Sequence, residues 1–244
     1  MIDTIQTVYH ALESNPALWI GLTLAAYLLG QFVFKLTRFN PLASPIIVAV
    51  ILIMSILLTF GIDYDTYFSG AYFIHFLLGP TTVVLAVPLF EQRRKLARLW
   101  LPIGVSLIAG SAVAIVSVVF LGWLLGIRTD TLISLIPKSV TTPIAMGISA
   151  ELGGLPDLTA CLVVVTGILG ALISKPLYRI FHFENETVRG LALGLAAHGM
   201  GTSAAFQISN RAGAFAGLAM GLTGLLTAFM APLLAIPLMR WLGL

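Results

Sequence analysis

Long apolar runs separated by short polar breaks dominate the chain. Residues 17–36 (ALWIGLTLAAYLLGQFVFKL), 45–61, 71–90, 99–125, 156–181 and 212–241 are each nearly free of charge. A helix needs about 20 apolar residues to cross a bilayer, and most of these runs are that long. A membrane barrel would alternate apolar and polar positions over about ten residues. No such alternation is present, and lipid permits only helices or closed barrels because backbone polar groups must pair internally. The pattern predicts an all-α fold, a polytopic transmembrane helical bundle of about 6–8 membrane segments, in one domain over 1–244.

Two stretches between the runs have a different texture. Residues 131–155 and 190–211 are apolar but rich in Gly, Pro, Ser and Thr. They read as broken or re-entrant segments. IDYDTYFSG, after the second run, reads as an interfacial loop or short amphipathic segment.

Composition agrees: 59% of residues are hydrophobic and 9% charged, against about 25% charged in soluble domains. The net charge of +3 is small and dispersed, so nucleic acid is not an expected partner; the bilayer is. Cys161 is the single cysteine and reads as a small membrane residue. The segment MIDTIQTVYHALESNPALW lacks the basic start of a signal peptide.

Lysine and arginine near the span ends set orientation. Arg93, Arg94, Lys95 and Arg98 place their loop in the cytoplasm, with Lys35 and Arg38 on the same side. The N-terminus, the Asp63/Asp65 loop, Arg128 and Asp130 then fall outside. Lys175, Arg179 and Arg189 flank a later loop. That loop obeys the rule only if 131–155 dips in and returns on one side. The side of the C-terminus stays open at this stage.

An internal repeat is visible at a shift of 60 residues. Thr81-Thr82 falls over Thr141-Thr142, Glu91 over Glu151 and Gly110 over Gly170. A second shift places Thr202, Ala205, Ile208, Ser209 and Gly213 under Thr142, Ala145, Ile148, Ser149 and Gly153. Interrupted segments in corresponding positions point to a transporter binding site.

The candidate chemistry lies in the two polar stretches. Lys138, in LISLIPKSVTTPIAMGIS, is the only charged residue between Asp130 and Glu151. A lysine there costs about 2.5–3.5 kcal/mol at mid-bilayer unless a partner, a cavity or the interface relieves it. Ser139, Thr141 and Thr142 follow, then Pro143, which disfavours helix before it. If Pro143 opens a half-helix, its positive end points at the same spot. Lysine, hydroxyls and a helix N-terminus suit a carboxylate or phosphate. The plainer alternative is a snorkelling lysine beside an ordinary proline kink.

In GLALGLAAHGMGTSAAFQISN, His198 is followed by Gly199, Gly201, Thr202 and Ser203. It suits substrate contact or proton handling, or a structural bond to a neighbouring helix. Glu91, Glu151 and His198 are the candidates for ion or proton coupling; both glutamates read more readily as interfacial caps or members of ion pairs. Asp157 reads as a helix start. The chain has no GxSxG, HExxH, cysteine pair or phosphate loop, so neither an enzyme nor a cofactor or metal is expected.

The stretch KSVTTPIAMGISAELGGLP resembles the signature of the LrgB/CidB family of bacterial membrane proteins. Asn40-Pro41-Leu42, Tyr64-Asp65-Thr66-Tyr67-Phe68, AVPLFEQ at 86–92, TGILGA at 166–171 and RGLALGLAAHGMGTSAA at 189–205 carry the resemblance further, over about 35–240. It implies a single LrgB-like transmembrane domain in the bacterial inner (plasma) membrane. It also implies two functions of different classes. One is control of murein hydrolase activity and autolysis beside a small holin-like LrgA/CidA partner. The other is movement of small 2-hydroxy- or 2-keto-monocarboxylates (glycolate, glycerate or pyruvate), as in a similar plastid translocator. On the transport reading the carboxylate would meet Lys138, Thr141 and Thr142, with His198, Thr202 and Ser203 completing the site. Gly-rich helix faces allow a homodimer.

Overall fold

A computed structural model describes residues 15–77, 80, 90 and 93–244. Among them every regular element is helical. Most of the third apolar run, the Thr81-Thr82 pair of the repeat and Glu91 lie outside the described residues. Four helices among the described residues are long and apolar enough to cross a membrane, and a further apolar helix, Pro45–Phe60, is shorter. The contacts divide the chain into two compact units, 1–81 and 82–244.

In the first unit α1 (Pro16–Leu36) starts on the Asn15 side chain, which accepts from Ala17 N at 3.0 Å. Asn40 repeats the device for the 3-10 turn Pro41–Ala43, accepting from Leu42 N. This turn delivers the chain into α2 (Pro45–Phe60), and a Cβ on Gly30 would lie 2.6 Å from Pro45 O. Gly61, at φ 65°, ends α2, where a side chain would be strained. IDYDTYFSG is not a loop: Asp63 caps α3 (Tyr64–Phe76), and Tyr67 Oη lies 3.0 Å from Thr23 Oγ1 with its ring edge-on to Trp19.

The second unit holds α4 (Arg93–Leu124), α5 (Thr129–Leu135), α6 (Thr142–Leu152), α7 (Pro156–Ile180), α8 (Glu186–Phe206) and α9 (Asn210–Trp241). Pro102 lies inside α4 and Leu99 is non-helical there (φ −115°, ψ 19°). The proline ring displaces the carbonyl four residues earlier, at Arg98, and so opens the kink.

The directions of the long helices follow from their clusters. Ile103 and Leu107 pack with Phe215, Leu218 and Ala219, whereas Ile115 and Val119 pack with Ala231, Ala235 and Met239. Hence α4 and α9 run parallel. Tyr178 Oη donates to Arg189 O at 2.8 Å, and Gly170 faces Ala197. Hence α7 runs antiparallel to the start of α8. Arg98, Arg179, Arg189 and Arg211 therefore share one end of this unit. Leu124 and Pro156 share the other, so 129–155 leaves and returns at one end, as the charge pattern requires. The C-terminus lies at the end opposite Arg98.

Candidate functional site

The segment after α4 is a hairpin. α5 descends seven residues, 136–141 turn, and α6 returns. Its outer part is knotted to α7 by small hydroxyls. Ser134 Oγ accepts from Leu155 N at 2.8 Å, and Thr159 Oγ1 lies 2.7 Å from Ser149 Oγ and 3.1 Å from Ser134 O. Ser134, Ser149 and Thr159 are fully buried. The sequence singles out Ser149 only through the repeat, and Ser134 and Thr159 not at all; their spacing from one element to the next gives no periodic signal.

At the tip the predicted residues come together. Ile136, Pro137 and Val140 are buried, while Lys138 and Ser139 are half-buried. Lys138 has no carboxylate within salt-bridge distance among the described residues. Thr142 and Pro143 are the first two residues of α6, so the proline does open a half-helix. Thr141 is its N-cap, but its hydroxyl makes no capping bond and is buried without a partner among the described residues. The first N–H groups of α6 are left to whatever approaches the tip.

The second polar stretch is also a hairpin. α8 breaks at Ala197 (φ −132°, ψ 19°) and His198 (φ 42°, ψ −129°). Beyond the break the chain doubles back: a Cβ on Gly201 would strike Leu193 O, although a straight helix would separate residues eight apart by about 12 Å. The first arm, 186–196, lies against α9, with Gly190 on Ala212 O and Gly194 on Ala216 O. This is the small-xxx-small contact that lets two membrane helices meet backbone to backbone. The arm's base and the end of the hairpin meet where Ser209 Oγ donates to Glu186 Oε2 at 2.9 Å.

His198, buried, fixes this second tip. Its Nε2 lies 2.9 Å from Val163 O on α7. A carbonyl only accepts, so Nε2 carries the hydrogen. Thr202 Oγ1 donates back to His198 O at 2.9 Å and touches Met220 Sδ at 3.8 Å. Ser203 is exposed. Thr202 therefore secures the bend, and its hydroxyl is committed within its own arm.

The two hairpins enter from opposite ends of α9. The first packs on Ala231, Ala235 and Met239, the second on Ala212 and Ala216. Their tips approach the same level. Ile144 reaches Gly224, where a Cβ would come within 2.8 Å, and Gly199 and Thr202 reach Met220. Met220 and Gly224 are about one helical turn apart, roughly 6 Å. Each returning arm, α6 and 199–206, begins at its tip, so both positive helix ends face the middle of the unit.

Two further hydroxyls lie at that depth. Thr223 (1% exposed) and Ser111 (2%) are buried without hydrogen-bond partners among the described residues. Ser111 falls between Leu107 and Ile115 on α4, hence at the level of Thr223 on α9. A residue-type search for charge misses them. Glu151 is exposed at the far end of α6, about 13 Å along the helix from the tip. Asp157 sits in the first turn of α7. No cluster of three His, Cys, Asp or Glu that could hold a metal occurs among the described residues.

Comparison with known proteins covers most of the chain. The model of the LrgB-like family matches residues 23–236. The chain is 33% identical over 220 residues to the antiholin-like protein LrgB of Bacillus subtilis, covering 89% of this chain and 94% of that one. It is 32% identical over 195 residues to the holin-like protein CidB of Staphylococcus epidermidis, covering 80% and 85%. It is 36% identical over 214 residues to the uncharacterized protein YwbG of Bacillus subtilis, covering 87% and 94%. No solved structure matches. With two inward hairpins among apolar helices, and with that match along nearly its whole length, this membrane protein belongs to the LrgB-like family.

Proposed function

We propose that the chain moves small monocarboxylates of the 2-hydroxy or 2-keto type across the bacterial inner membrane. The observation that carries the reading is the meeting of two half-helix N-termini, from hairpins of opposite entry, at the depth of Lys138. A pore or a scaffold has no use for an unpaired lysine there, whose burial opposes folding. A carboxylate bound at the tip would neutralise it and satisfy the Thr141 hydroxyl and the open N–H groups of α6. His198 and Thr202 hold the opposite tip in shape. A small shift of either hairpin against α7 and α9 would change the end from which the site is reached.

The names of the relatives favour a second reading: an antiholin-like or holin-like component that acts with a small LrgA/CidA-type membrane partner. Uptake of labelled glycolate, glycerate and pyruvate into liposomes separates the two. Saturable uptake that Lys138→Ala abolishes supports transport through this site. Saturable uptake that Lys138→Ala leaves intact rules the lysine out as anchor. Absence of uptake from folded protein, with and without the partner, favours the regulatory reading.

A further inference from the structure

We infer that the groove between the first turns of α4 and α9 binds the headgroup of an anionic phospholipid. The kink at Leu99 opens a cavity of about 630 Å³ lined by Arg98, Leu99, Asn210, Arg211, Ala214 and Phe215. Two arginines on neighbouring parallel helices flank it, and none of these residues is acidic. Both arginines are exposed, and neither forms an ion pair among the described residues. Guanidinium groups grip a phosphodiester through paired N–H donors.

The start of α9 adds to the same field. Ser209 caps Ala212 N at 3.1 Å, while the N–H groups of Asn210 and Arg211 have no intrahelical acceptor. They face the anion with the positive end of a helix of 32 residues behind them. Leu99, Ala214 and Phe215 supply the apolar wall. A free phosphate has no use for such a wall, whereas the glycerol and upper acyl carbons of a lipid do. The groove also lies where the apolar stretches Ala97–Leu124 and Asn210–Trp241 begin, at the depth of lipid headgroups.

The test is native mass spectrometry of the full-length protein from neutral detergent, with phosphatidylglycerol and with phosphatidylcholine added at equal concentration. The wild type should retain phosphatidylglycerol selectively. Arg98→Gln/Arg211→Gln should bind it about tenfold more weakly or worse, the loss of one to two charged hydrogen bonds. Each single variant should fall between. Lys175→Gln/Arg179→Gln, which removes two basic residues at the same end, should keep the selectivity. Equal retention of both lipids by the wild type would overturn the proposal. So would selective retention by the Arg98/Arg211 variant, or displacement of the lipid by equimolar glycerol phosphate. Circular dichroism of each variant confirms that the helices are intact, and either single variant serves if the double one does not fold.

Discussion

Glu186 and Ser209 share a hydrogen bond of 2.9 Å although 23 residues separate them. The intervening chain goes to His198 and comes back, so both ends of α8 lie at one end of the unit. The sign of this relationship is directly measurable. In a background without Cys161, Glu186→Cys and Ser209→Cys should react with a membrane-impermeant maleimide from the same side of the membrane as Arg98→Cys. Asp130→Cys and Glu151→Cys should react from the other side. Labelling of positions 186 and 209 from opposite sides would mean that α8 crosses the bilayer.

The first arm of that hairpin depends on Gly190 and Gly194, and the second on Gly201 but not on Gly199. Gly194 faces Ala216 O so closely that any Cβ would collide with backbone, which cannot yield as a side chain can. Gly194→Ala should therefore cost about 4 kcal/mol or more, seen as a large fall in melting temperature in detergent. Gly199, which opens the returning arm, meets only Met220 Sδ at 4.0 Å. Gly199→Ala should be neutral or should stabilise by about 0.5–1 kcal/mol through helix propensity. Equal melting temperatures for the two variants would contradict the packing described here.

This contrast shows what could be read from the chain itself. Five of the apolar runs became helices with ends displaced by a few residues, because a run of uncharged residues has one stable form in lipid. Pro143 opening α6 was legible, since proline has one place it favours in a helix. The hairpin at 131–155 followed from counting arginines. The segment 190–211 also read as broken or re-entrant, but the place of its reversal, Ala197–His198, did not follow: the sequence shows flexibility in Gly199 and Gly201, whereas the reversal depends on Leu193 and on α9 lying alongside. The buried hydroxyls of Ser111 and Thr223 are likewise set by neighbours distant in sequence. IDYDTYFSG reads as a loop or a short amphipathic segment because two aspartates and two tyrosines look solvated; it is the start of a helix, with Asp63 as its cap.

Asp130, in the first turn of α5, provides a pH signature outside the spans. The Thr131 amide N–H, and then the Arg128 guanidinium, hold its carboxyl below the usual carboxylate range. A depressed pKa in the folded state means stabilisation that is present above the unfolded value and lost as pH falls through the folded one. Lowering the pH from about 5 toward 3 should therefore remove a small increment of stability, and Asp130→Asn should flatten that part of the melting profile. Arg128→Gln should reduce it only in part, because the amide of Thr131 remains.

His198 combines a strained backbone with a buried hydrogen bond, and the two can be separated. Its φ of 42° is one that glycine adopts freely, and its ring N–H is the partner of Val163 O. His198→Ala keeps the strain and loses this second bond to Val163 O, which still accepts within its own helix, at about 0.5–1.5 kcal/mol for the lost bond. His198→Gly loses the bond but relaxes the backbone, so it should melt higher than the alanine variant by about 1 kcal/mol. Because Nε2–H is committed to Val163, any proton that this histidine handles goes on and off Nδ1. A coupling role therefore requires His198→Gln, which has no titrating nitrogen, to flatten the pH dependence of carboxylate uptake while leaving the fold intact. An unchanged profile with that variant would assign His198 to the architecture of the tip alone, holding the returning arm against α7.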